Sequence, residues 1–164
     1  MGYTTEFYGV FKLDKKLKKE HAAYLRQFSD TRRMKRDETL ASALSDPIRL
    51  AAKLPVGREG AFYVATDAFD EKSVVDGNKS PEGQPGLWCH WIPTDDNKGI
   101  VWDGGEKFYD YVEWISYLIE NFLAPWGYVV NGEMEWVGED KGDIGKIVII
   151  DNMVEEHMGR YVYD

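Results

Sequence analysis

The sequence predicts a single α+β domain over residues 1–164, with a mostly antiparallel sheet and two or three helices on one face. Three observations predict it. The first residues alternate apolar and polar, a long apolar stripe of helical period lies near residues 105–123, and the remaining strand-like segments come in runs joined by short turns. Runs of that kind pair antiparallel, because parallel neighbours need a long crossover between them. The expected order is β-α-α-βββ-α-βββ.

In the opening strand, Tyr3, Thr5, Phe7, Gly9, Phe11 and Leu13 share one face. A helix is expected over residues 18–29, where Leu17, His21, Tyr24, Leu25 and Phe28 recur at helical spacing. A polar, basic connector (29–37) leads to a helix in two pieces over 38–53, with Pro47 at a first helical position behind Ser45 or Asp46. Short strands are expected at 61–66, 87–93 and 99–102, and a turn-rich loop at 76–86. The helix at 105–123 carries Phe108, Tyr111, Val112, Ile115, Leu118, Ile119 and Phe122 on one stripe. Asp103 and Glu106 stand at its start like a capping pair, and Ala124-Pro125 ends it. Strands follow at 128–137 and 146–151, with a last one after the Asp151-Asn152 turn.

The chain has 29 acidic and 20 basic side chains, a net charge of −9. Such a charge disfavours bulk binding to nucleic acid or to anionic membranes. The total conceals a split, since residues 1–60 carry 13 basic and 8 acidic side chains (+5) and residues 61–164 carry 7 and 21 (−14). A single cysteine, Cys89, excludes an internal disulfide framework and a multi-cysteine zinc site. No signal-peptide pattern or membrane-spanning apolar run is present, so a cytoplasmic setting is the expectation.

Three blocks, residues 28–36 (FSDTRRMKR), 83–91 (GQPGLWCHW) and 102–109 (WDGGEKFY), continue through Tyr111-Val112-Glu113-Trp114 and Pro125-Trp126-Gly127-Tyr128 to Asn131-Gly132-Glu133. Together they resemble a family of small hypothetical proteins of bacteria and phages, over nearly the whole chain. The resemblance carries no established activity. Its phage members imply sequestration of a nucleotide signal of host defence. One departure stands out: similar proteins have a hydroxyl residue where this chain has Lys18, which cannot cap the first helix.

Two groups of residues are candidates for binding. Arg32, Arg33, Lys35 and Arg36 place four cations within five residues, and arginine forks suit phosphate or carboxylate. The bland alternative is a solvated run paired with Asp30, Asp37 and Glu38. Trp88, His90 and Ile92 share one strand face, and an exposed Trp88 and Trp102 with His90 between them would make a stacking surface for a flat group. Most tryptophans are otherwise expected in the core.

Catalytic patterns are sparse. Cys89 and His90 are neighbours that point apart on a strand, and His21, His90 and His157 are distant in sequence. Glu133 and Glu135 share a strand face, with Glu139, Asp140 and Asp143 in the following turn. That grouping could bind a hard cation or be a solvated acidic face. No cofactor or resident metal is expected. The sequence therefore points to a non-catalytic binding protein holding a phosphate-bearing, nucleotide-like ligand through Arg32, Arg33, Lys35, Arg36, Trp88, His90 and Trp102. The alternatives are an acidic protein–protein interaction or inhibitor module and a metal-dependent hydrolase using Glu133 and Glu135. A homodimer is compatible with all three.

Overall fold

A computed structural model describes residues 2–162. In chain order the elements are β1 (Thr5–Leu13), α1 (Lys19–Asp30), β2 (Lys35–Arg36), α2 (Glu38–Ser42), α3 (Pro47–Ala51), a 3-10 turn Arg58–Gly60, β3 (Val74–Asp76), β4 (Trp91–Pro93), β5 (Gly99–Trp102), α4 (Tyr111–Leu118) continuing into a π-helical turn Ile119–Leu123, β6 (Val130–Gly138), β7 (Ile144–Ile150) and β8 (Met153–Met158). The α+β class is as the sequence predicts. The chain divides into two compact units, one made of Met1–Leu17 with His90–Asp164 and the other of Lys18–Cys89.

The first unit is a six-stranded antiparallel sheet in the order β4-β5-β1-β6-β7-β8. β1 pairs with β6 along its whole length, from Thr5 opposite Gly138 to Leu13 opposite Val130. Alternation gives each strand an inner and an outer row. Phe7 and Phe11 of β1, Met134 and Trp136 of β6, and Ile147 and Ile149 of β7 are buried on the inner side, as are Trp114, Ile115 and Leu118 of α4. Phe7 is the hub of an aromatic cluster, edge-on to Trp91 (5.2 Å), Trp102 (5.4 Å) and Tyr111 (5.0 Å). Each such buried ring contributes about 1.5–3 kcal/mol relative to exposure.

The helix expected from residue 105 begins instead at Tyr111. Residues 103–110 form a loop because Asp103 accepts the Gly105 amide (2.7 Å), Trp102 Nε1 donates to the Gly105 carbonyl, and Gly104, Lys107 and Asp110 have positive φ. Phe108, expected on the helical stripe, is buried from this loop. The strand expected at 87–93 is reduced to Trp91–Pro93, although its burial still alternates, with Cys89 and Trp91 inside.

In the second unit, α1 presents Tyr24, Leu25 and Phe28 to the interior and starts at Lys18 without a side-chain cap. The two-piece helix appears as α2 and α3, with Pro47 at the start of α3. His21 is buried on α1, and that burial lowers the imidazole below its ordinary pKa. The expected strand at 61–66 does not form; the small β2–β3 pair was not expected. Tyr63 and Val64 of the segment are buried, but no strand pairs with it.

Gly9 sits inside β1 with φ 132°, where a Cβ would stand 2.6 Å from the Glu133 carbonyl oxygen of β6. Gly9→Ala is therefore expected to destabilise the protein by more than about 1 kcal/mol. The check is the urea midpoint; an unchanged midpoint would mean that β1 and β6 do not approach this closely.

Candidate functional site

The arginines of the basic connector are directed inward. Arg33 is 1% and Arg36 3% exposed. Arg33 donates to the carbonyls of Ala61 and Tyr63 (3.0 and 2.8 Å) and lies over the Phe28 ring. Arg36 donates to the Thr66 carbonyl (2.7 Å), Ser73 Oγ (2.8 Å) and Glu71 (3.2 Å), with the Tyr63 ring 4.0 Å from its guanidinium carbon. Arg32 donates to the Gly77 carbonyl and Asn78 and stacks on Phe69, while Lys35 pairs with Glu59 at 3.1 Å. Burial of Arg33 and Arg36 does not fit a solvated run. Their forks are engaged by the protein's own groups: main-chain carbonyls for Arg33, and the Thr66 carbonyl, Ser73 and Glu71 for Arg36.

The acceptors explain why residues 61–66 are not a strand. Ala61 also receives Gln84 Nε2, Phe62 receives Tyr24 Oη, Val64 receives Gln27 Nε2, and the Val64 amide donates to Asp46. A strand would take these bonds from a neighbouring backbone; here side chains supply them. Asp46 also holds Arg49 at 2.9 Å, so a second buried pair stands at the start of α3.

Charge is tuned around this network. Burial alone would raise the Glu71 carboxyl. The hydrogen bonds from the Ser73 hydroxyl and amide, together with the Arg36 charge, outweigh it and hold Glu71 below its ordinary value. At the rim, the Glu82 amide and Lys35 hold the Glu59 carboxyl below its ordinary value.

The remaining expected residues fall in different units: Trp88 belongs with the arginines, His90 and Trp102 with the sheet. Trp88 is 38% exposed. His90 makes a contact that the sequence did not single out. Its Nδ1 lies 3.0 Å from Asp103 Oδ2, its ring meets Phe108 edge-on, and Gly105 has no Cβ because one would stand 2.5 Å from Nδ1. The carboxylate fixes the ring through Nδ1. The cue was Asp103-Gly104-Gly105, but only the β4–β5 hairpin register, one step beyond the Trp91–Trp102 pair, brings Asp103 opposite His90.

The acidic group separates into two roles. Glu139 accepts the Thr4 amide and Asp143 accepts the Tyr3 hydroxyl, so these residues fasten the start of the chain. Glu133 and Glu135 stand on the outer row of β6, and Glu133 pairs with Lys146 at 3.4 Å. Among the described residues, no group of three or more His, Cys, Asp or Glu side chains is placed to hold a metal ion.

The outer face of the sheet is uncovered. Its rows run Val10–Glu133–Val148–Glu155 and Tyr8–Glu135–Lys146–His157 across β1, β6, β7 and β8. Tyr8, Val10, Val137, Ile150 and Met153 are all exposed there. The unit bearing this face holds 18 acidic and 8 basic side chains, a net charge of −10, whereas the second unit holds 11 and 12, a net charge of +1. No family model, curated protein or solved structure matches the chain.

Arg36→Met is expected to cost about 3 kcal/mol, since it leaves the Thr66 carbonyl without this donor and the Glu71 carboxylate without its counter-charge. Arg36→Lys should also destabilise, because an ammonium cannot span the same acceptors. Lys35→Ala, at the rim, should cost under about 1 kcal/mol. Urea unfolding of the three variants checks the ranking.

The Glu71 shift also has a sign. Its folded pKa lies below the reference value of 4.5, so its contribution to stability is present above pH 4.5 and lost as pH falls through the folded value. Glu71→Gln should flatten that acid limb; an acid limb of unchanged steepness counts against the assignment.

Proposed function

We propose that this chain is a non-catalytic binding protein whose working surface is the uncovered outer face of the six-stranded sheet, and whose partner is a basic protein surface. The observation that carries this reading is the face itself: a broad sheet surface, apolar residues alternating with carboxylates, in a unit of net charge −10. Exposed apolar area supplies the binding energy, while the acidic field speeds encounter with a cationic partner and rejects anionic ones. A nucleotide-like ligand is favoured less, because Arg33 and Arg36 are buried on internal acceptors. Hydrolysis through Glu133 and Glu135 is favoured less as well, since Glu133 is paired with Lys146 and both carboxylates stand on an open surface.

The test is affinity capture on the immobilised chain at low and high salt, with Val10→Arg and Glu133→Lys as face variants. A basic protein retained by the parent chain, released by salt and lost from both variants is the expected outcome. Equal retention by the variants would place binding elsewhere. A nucleotide found by native mass spectrometry of the purified protein would restore the small-ligand reading.

A further inference from the structure

At the β6–β7–β8 end of the outer face lies a cavity of about 410 Å³, lined in part by Glu135, Val137, Ile144, Lys146, His157 and Tyr161. Register places Glu135, Lys146 and His157 in one row and Val137 opposite Ile144 in the next, so the hollow has a polar row and an aliphatic row. Its volume is at the lower end of the range for specific small sites.

The two polar neighbours are already engaged. Lys146 Nζ is drawn to Glu133, and His157 Nε2 lies 3.2 Å from Glu155. Glu135 differs: its side chain makes no hydrogen bond or ion pair with any described residue. Beside it, the Gly159 amide donates to the Ile144 carbonyl, and a Cβ on Gly159 would stand 3.0 Å from Ile144 Cγ1. Glycine there leaves the Ile144 side chain bare to the hollow.

We infer that this hollow seats one arginine side chain of the basic partner, an inference that rests on the outer face being the binding surface. The aliphatic stem lies along Val137 and Ile144, the guanidinium meets the Glu135 carboxylate through two parallel N–H donors, and its flat face stacks against the Tyr161 ring. Arginine suits the site better than lysine for two reasons. A planar fork matches the carboxylate and can stack on an aromatic ring, whereas a compact ammonium does neither and keeps its hydration more strongly.

Titration of the full-length isotope-labelled chain with N-acetyl-arginine amide, followed by NMR, tests this directly. Saturable shifts at Val137, Ile144 and Tyr161 are expected, with N-acetyl-lysine amide binding more weakly and N-acetyl-norleucine amide more weakly still. Glu135→Gln should weaken arginine binding about tenfold. Gly159→Val should abolish it by filling the hollow without changing any charge, with the rest of the spectrum preserved. Absence of saturable shifts, equal binding of the lysine compound, or binding that survives both substitutions would overturn the proposal. The two readings separate cleanly: a captured basic partner that is lost by Val10→Arg but kept by Glu135→Gln and Gly159→Val retains the face and removes the arginine seat.

Discussion

The hydrogen bonding of residues 61–66 is the constraint on which the second unit depends. This segment is largely inside the protein yet pairs with no strand; the amides of residues 61–63 find backbone carbonyls in local turns, and most of its carbonyls are satisfied by side chains. Arg33, Arg36, Tyr24, Gln27 and Gln84 donate to its carbonyls, and Asp46 accepts the Val64 amide. Because each guanidinium offers several donors in a fixed fork, two arginines do what a row of backbone amides does in a sheet. Burying them is costly unless every charge has a partner, and Glu71 with Ser73 supplies that for Arg36. The unit therefore combines the apolar face of α1 with a buried polar network.

The first unit has the opposite construction. Its interior is apolar and aromatic, centred on Phe7, and its regularity comes from long antiparallel ladders between β1, β6, β7 and β8. One face of that sheet carries α4 and the π-helical turn; the other carries side chains alone. Because alternation forces every second residue outward, the same strands that build the aromatic core also display Tyr8, Val10, Glu133, Glu135 and Val148. Core and exposed face are thus two rows of one set of strands.

Charge follows this division. Basic side chains that the linear sequence gathers between Arg32 and Arg36 are largely engaged inside the second unit, which is nearly neutral because 11 acidic side chains balance its 12 basic ones, while the acidic excess belongs to the unit with the open face. On the proposed reading, the local departure from the mean charge that matters is the acidic one, and it favours a cationic partner.

Much was legible from residue pattern alone. The α+β class, β1, α1, the break before Pro47, β5 and the three C-terminal strands follow from periodicity and turn chemistry, which are local properties. So does the alternation that hides Cys89 and Trp91 while turning His90 outward. What tertiary structure alone decided is where polar groups find their partners. Arg33 and Arg36 look like a ligand site in one dimension because their acceptors, the carbonyls of residues 61–66, lie about thirty positions away. Residues 105–110 have a helical pattern, but Asp103, Trp102 and buried Phe108 hold them as a loop. His90 meets Asp103, and Glu135 lies near Ile144 and Tyr161, only through strand register. Sequence determined which side chains can be apolar, charged or forked; the fold determined which of them are spent inside and which stand exposed.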